Sequence, residues 1–376
     1  MRLLSSRDQR IAARPGAGGL MRTLPQLIGD VARGKEHARD LPEDEAQALF
    51  GAWLADDLDA YSQGALWTAY RIKGESMEEL LGFVSASEHA MHRVNGPAGP
   101  LPIILPSYNG ARREANLLPL LALVLARAGV PVLLHGSHGG AAEDADLALT
   151  DHSPAKRVSS AALLTALGLP AAGSPQAIHD DLRQRNLAHA PIDVLSPGLA
   201  RILALRRRLG VRSSVHTVVK LINPFGGPAM HCAAVTHPPY LERLKAFFGR
   251  TRRRALCLRG TEGEPFAHPK RRPALLGCED GVCTTLMEKD GQPLLRLPDL
   301  PADGGVTATC RFIEEVLNGT LALPDPLFDQ AACLLVLSGR SPDLDAAGAV
   351  LAAILPAQRP HASSRKSLPP SPGALP

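Results

Sequence analysis

Three short stretches of this 376-residue chain carry the side chains that could do chemistry. The first, Pro106–Asn116 (PSYNGARREAN), sets Ser107, Tyr108, Asn109 and Gly110 ahead of Arg112 and Arg113. Backbone N–H groups in a turn leading into a helix are donors for an anion, and paired guanidiniums add phosphate recognition. The second is His135-Gly136, and the third is RGTEGEPF (259–266), where Glu262 and Glu264 flank a glycine. Beyond these, basic residues come in clumps: Arg206, Arg207 and Arg208; Arg252, Arg253 and Arg254 just after Arg250; and Lys270, Arg271 and Arg272. One clump is an ordinary solvated face. Four clumps in loops or at helix ends suggest a polyanion-binding surface, if the fold brings them together. His135 and His138, and likewise His231-Cys232, lack a second pair at ligand spacing, so both read as loop or core residues and no metal site is expected. Ser159 and Ser160 read as caps of the helix that follows.

The elements that must position these residues are legible from hydropathy. Leu101–Leu105 is a short apolar run, Leu117–Ala128 an apolar helix stopped by Gly129, and Val130–Leu134 a second apolar run. Two uniformly apolar strands joined through a helix make a parallel β-α-β unit buried on both faces. Ligands of such units gather at the carboxyl ends of the strands, which here are Pro106–Asn116 and His135–Gly140. Before this core the spacing predicts helices over Glu43–Leu54, Ala60–Ile72 (capped by Asp59) and from the Ser76–Glu79 capping box to about His92. After it, helices are expected over Val158–Leu167, 175–187, 197–209, Tyr240–Phe248, Thr307–Asn318, Leu327–Leu337 and Leu344–Leu355. Strands are expected over His231–Val235 and Ala255–Arg259, and 261–303 reads as irregular. The expected organisation is a flexible start (1–20), a helical domain (21–95) joined by about 175–210, an α/β domain (96–355) and a basic disordered tail (356–376).

Composition agrees with that reading. A chain with 45% hydrophobic but only 4% aromatic residues suits helices and a mainly parallel sheet. No apolar run reaches the ~18 residues of a membrane span. The opening MRLLSSRDQR lacks an apolar core and a cleavage site. Six cysteines without a CxxC pair read as reduced, largely buried thiols, and a cytoplasmic location is expected.

Several stretches resemble anthranilate phosphoribosyltransferase and the glycosyltransferase family 3. LPEDEAQALFGAWLADDLDAYSQGALWTAYRIKGESMEEL (41–80) is similar to the opening helices of that family, RVSSAALLTALGLP (157–170) to its serine-containing segment, and RRLGVRSSVHTVVKLINPFGG (207–227) to the segment around its Asn-Pro turn. The resemblance implies a helical domain, an α/β domain and a homodimer through the helical domains. It also implies the places of the substrate loops, and there this chain departs from the pattern. The family's Gly-Thr-Gly-Gly-Asp diphosphate turn reads Pro106-Ser107-Tyr108-Asn109-Gly110 here. Its Lys-His-Gly-Asn loop survives as Leu134-His135-Gly136-Ser137. Its magnesium-binding Asp-Glu pair falls on Pro265 and Phe266, which ligate no hard cation. Losing donors of this kind costs ~10²–10³ in rate for each. The PSYNGARREAN and RGTEGEPF stretches look most like the YbiB-type branch, which the resemblance describes as nucleic-acid-binding dimers. The expectation is therefore a non-catalytic DNA- or RNA-binding protein without a cofactor, magnesium included, gripping phosphates through the four basic clumps. The alternative is a transferase acting on a phosphorylated or nucleoside substrate.

Overall fold

The structure, a computed structural model, describes residues 22–34, 36–137, 157–291, 299–301 and 303–357. The expected flexible start, nearly all of the expected tail and His138 lie outside them. The chain forms two compact units. One holds the described residues up to Val94 together with Pro191–Pro224, and the other holds the rest. The chain thus returns to the helical unit at Pro191 rather than at about 175.

The helical unit opens with α1 (Leu24–Val31), α2 (Glu43–Leu54), α3 (Ala60–Lys73) and α4 (Met77–His89). Helix α2 spans the residues its apolar spacing predicts and buries Ala46, Leu49, Phe50, Trp53 and Leu54. It lies so close to α4 that a Cβ on Gly82 would stand 2.4 Å from the Glu43 carbonyl, so only glycine fits there. Asp59 accepts from the Tyr61 and Ser62 amides to start α3, and Ser76 and Glu79 close a capping box on α4.

The α/β unit begins with β1 (Ile103–Ser107), α5 (Leu118–Arg127), β2 (Val132–Gly136), α6 (Ser160–Ala166), α7 (Pro175–Arg185) and β3 (Leu187–Pro191). Short helices α8 (Ile192–Leu195) and α10 (Val215–Val218) flank α9 (Pro197–Leu209) in the return to the helical unit. The α/β unit resumes with β4 (Met230–Val235), α11 (Pro238–Thr251), β5 (Ala255–Arg259), β6 (Leu275–Glu279) and β7 (Val282–Met287). It closes with α12 (Val306–Leu317), α13 (Asp325–Leu337) and α14 (Leu344–Ile354). Seven strands form one sheet in the order β3-β2-β1-β4-β5-β6-β7. The β2–β1, β1–β4 and β4–β5 pairs are parallel, whereas β5–β6 and β6–β7 are antiparallel.

Both β1 and β2 start two residues later than their apolar runs, which carries Ser107, His135 and Gly136 into the strand ends. The register explains the glycine: a Cβ on Gly136 would lie 2.1 Å from the Ser107 carbonyl. Strand β3 and the β6–β7 hairpin occupy segments with no clear alternation in sequence. That hairpin also corrects the expectation of six reduced thiols. An Asp280-Gly281 turn with both residues at positive φ sets Cys278 opposite Cys283, and the two are joined in a disulfide. Cys232, Cys257 and Cys333 are buried thiols outside any disulfide, and Cys310 is a half-buried one.

Candidate functional site

Strands β1, β4 and β5 are parallel, so their carboxyl ends share one edge of the sheet. Residues 107–114 leave β1 there, and 260–266 leave β5. The two segments are locked together by carboxylates of this same chain. Glu264, fully buried, accepts from the Asn109 amide (2.7 Å) and the Gly110 amide (3.0 Å) through Oε1, and from the Ser107 hydroxyl (2.6 Å) through Oε2. One oxygen of Glu262 accepts from three consecutive amides, Arg112 (3.1 Å), Arg113 (2.8 Å) and Glu114 (3.1 Å). Its other oxygen lies 3.6 Å from the Arg157 guanidinium, which also donates to the Gly110 carbonyl. Convergent backbone donors of this kind form an anion receptor, and both receptors are filled from within.

Local sequence makes this possible. Glu262 (φ 51°) and Gly263 (φ 91°) form a tight left-handed turn that sends successive acidic side chains to the same loop. Gly263 has no room for a side chain, because a Cβ would stand 2.5 Å from Asn109 Nδ2; that amide nitrogen donates to the Gly263 carbonyl at 2.7 Å. Behind Ser107 the network runs on: its oxygen is 2.8 Å from Ser160 Oγ, which accepts from Asn116 Nδ2 at 3.2 Å. Asn116, the expected cap of α5, lies one residue outside the N-cap Leu117 and accepts from the Leu118 amide at 3.3 Å. Ser159, as expected, caps α6.

Tyr108 is pinned inwards, its hydroxyl 2.8 Å from Nδ1 of the fully buried His135. Burial pushes the His135 imidazole down to about 3, so it is neutral throughout the physiological range. A tyrosine tied in this way fills space beside the cradle. Phe266, on one of the expected metal positions, is fully buried in the core. Among the described residues, no group of three or more His, Cys, Asp or Glu side chains could hold a metal ion.

The basic clumps do not all converge. Arg112, Arg113, Lys270 and Arg271 share the carboxyl edge, where Lys270 Nζ bonds both oxygens of Glu114 at 3.0 Å. Arg113, Glu114, Lys270 and Asp303 line a polar cleft of about 130 Å³ there. Arg252, Arg253 and Arg254 precede β5 and so lie at the opposite, amino edge. Arg254 pairs with Glu279, and Arg253 sits over the Phe247 ring. Arg272 is held by Asp329 and by Asp290 (3.1 Å). Arg206, Arg207 and Arg208 end α9 in the helical unit, and Arg206 is buried. Within the α/β unit, Arg112, Arg113, Lys270 and Arg271 thus lie at the carboxyl edge, and Arg252, Arg253 and Arg254 at the other. Glu114 and Arg157 carried no sequence signal of their own, and Ser160, read as a cap, is instead the first residue of α6 and part of this network. Glu262 and Glu264 did, as acids spaced by glycine directly after a strand.

Comparison with known proteins places this geometry. The glycosyl transferase family helical bundle domain matches residues 25–90. The anthranilate phosphoribosyltransferase of Thermus thermophilus superposes with a TM-score of 0.69 at 22% identity, covering 89% of this chain and 94% of that one, a likeness of fold. An anthranilate phosphoribosyltransferase of Methylobacterium radiotolerans is 27% identical over 346 residues, covering 86% of this chain and 94% of the relative. The bundle and the mainly parallel sheet define a phosphoribosyltransferase-like scaffold of the glycosyltransferase-family-3 type. Within that class, the chain belongs to the family of the uncharacterized protein YbiB of Escherichia coli (strain K12), with 37% identity over 319 residues that cover 84% of this chain and 94% of the relative.

Proposed function

We propose that this chain is a non-transferring member of its class that binds nucleic acid, DNA first, through the phosphate backbone. The observation that carries the reading is Glu264 in the cradle: its buried carboxylate takes the donors that a diphosphate needs. A diphosphate entering this turn would meet a like charge with no exit to solvent. Positive charge remains at the same edge, because Arg113 and Arg271 are exposed and have no acidic partner among the described residues. Contacts of that kind read no bases, so binding is independent of sequence. A homodimer through the helical units belongs to the same proposal; Tyr61 and Ile72 leave apolar surface exposed on α3.

The test is oligonucleotide affinity against salt. Two phosphate contacts give a slope of about −1.8 in log K against log salt, or roughly a tenfold loss between 50 and 200 mM. Absence of binding at low salt, or a flat response, overturns the reading.

A second reading is favoured by the relatives themselves. Several of them are anthranilate phosphoribosyltransferases, which supports a transferase acting on a phosphorylated or nucleoside substrate. It requires Glu262 and Glu264 to leave the loop and serve the substrate or a magnesium ion instead. Turnover of phosphoribosyl pyrophosphate with magnesium by the full chain would establish it and overturn the first.

A further inference from the structure

The two glutamates are not equivalent, and the difference points to a site beyond the lost cradle. Glu264 is sealed: its side chain is wholly buried, both oxygens are bonded, and the turn pins its backbone through the Thr261 carbonyl at 2.9 Å. Glu262 is only partly buried, its side chain 16% exposed, in a left-handed conformation that costs a non-glycine residue energy. Gly263 separates the two, so the outer carboxylate can swing into water while the inner one stays. What it would leave behind is a set of three convergent amides beside Arg157, with Arg113, His268 and Lys270 nearby and Glu114, paired to Lys270, as the opposing charge.

We propose that the amides of Arg112, Arg113 and Glu114, together with the Arg157 guanidinium, form a phosphate-binding nest gated by Glu262. The carboxylate now in the nest is the stand-in: a charged oxygen accepting three N–H bonds occupies the position of a phosphate oxygen. Phosphate brings more charge and two further acceptors to the same donors, whereas Glu262 has the advantage of being tethered. The nest takes a single phosphate group, either from a nucleic-acid backbone or from free phosphate. Its nucleic-acid arm rests on the function proposed above, and the free-phosphate arm stands without it.

Calorimetric titration of the full chain separates these cases. Inorganic phosphate and a twelve-nucleotide single strand are each titrated into the wild type, Glu262→Ala and the isosteric Glu262→Gln. Opening the gate should raise phosphate affinity about tenfold or more, the scale of one charge-assisted hydrogen bond. Adding Arg157→Ala should reverse the gain, and Arg157→Lys should keep most of it. A parallel gain for the oligonucleotide, competed by phosphate, assigns the site to nucleic acid. A gain for phosphate alone assigns it to free phosphate and counts against the nucleic-acid reading. If either variant folds with an unchanged far-ultraviolet spectrum and gains affinity for neither probe, the gated nest is overturned, even where the wild type binds DNA.

Discussion

Replacing Glu264 with alanine should destabilise the α/β unit by about 3 kcal/mol, and the structure says where that figure comes from. The carboxylate accepts from two backbone amides and one hydroxyl, all buried. An unsatisfied buried donor costs about 1–3 kcal/mol. The Ser107 hydroxyl escapes most of that penalty by turning to Ser160 Oγ, 2.8 Å away, so the Asn109 and Gly110 amides set the cost. Relief from burying a charge offsets part of it. Glu264→Gln keeps one acceptor oxygen and should cost about 1 kcal/mol, the difference between a charged and a neutral bond. Urea unfolding followed by far-ultraviolet circular dichroism measures both, through the midpoint at constant slope. In a double-mutant cycle with Ser107→Ala, the coupling should be about 1 kcal/mol. If Glu264→Ala unfolds within about 0.5 kcal/mol of the wild type, the carboxylate is not holding the turn and the self-filled cradle is wrong.

Acid should act through His135. Its folded-state value of about 3 lies below the ordinary 6.5, so the unfolded chain binds a proton that the native one refuses, and stability is lost as pH falls from about 6.5 towards 3. Between pH 7 and pH 5 the wild type should lose about 2 kcal/mol more than His135→Gln; equal losses would contradict the buried neutral imidazole. Burial lowers His231 in the same direction, so the variant retains part of the acid sensitivity. Neighbouring arginines should separate structure from binding. Arg272→Ala removes the guanidinium shared by Asp290 and the mostly buried Asp329 and should cost about 1–3 kcal/mol, whereas exposed Arg271→Ala should leave stability within about 0.5 kcal/mol and weaken oligonucleotide binding. The opposite ranking in thermal melts and titrations would refute that division.

Elements with strong local periodicity were legible in the sequence, and those stabilised only by partners were not. Helix α2 and strand β5 run over the residues their patterns predict, and the caps at Asp59, Ser76 and Ser159 do what their residue types imply. Strand β3, five residues ending in proline, and the edge hairpin β6–β7 have no such pattern. Pairing with an existing sheet makes them strands. The same distinction explains the cysteines: spacing shows no pair, yet hairpin register sets Cys278 against Cys283.

At the site, the sequence by itself determined what was missing. A proline, a tyrosine and a lone glycine in the turn after β1 cannot build a glycine-lined diphosphate cradle, because that is a property of residue types and needs no fold to read. Only the tertiary structure decided what replaced it. Glu264 lies more than 150 positions from Ser107, and the parallel pairing of β1, β4 and β5 brings it there by ending those strands at one edge. The same pairing sends Arg252–Arg254 to the opposite edge. A carboxylate's role follows from the donors that surround it, and those are set by which strand ends meet.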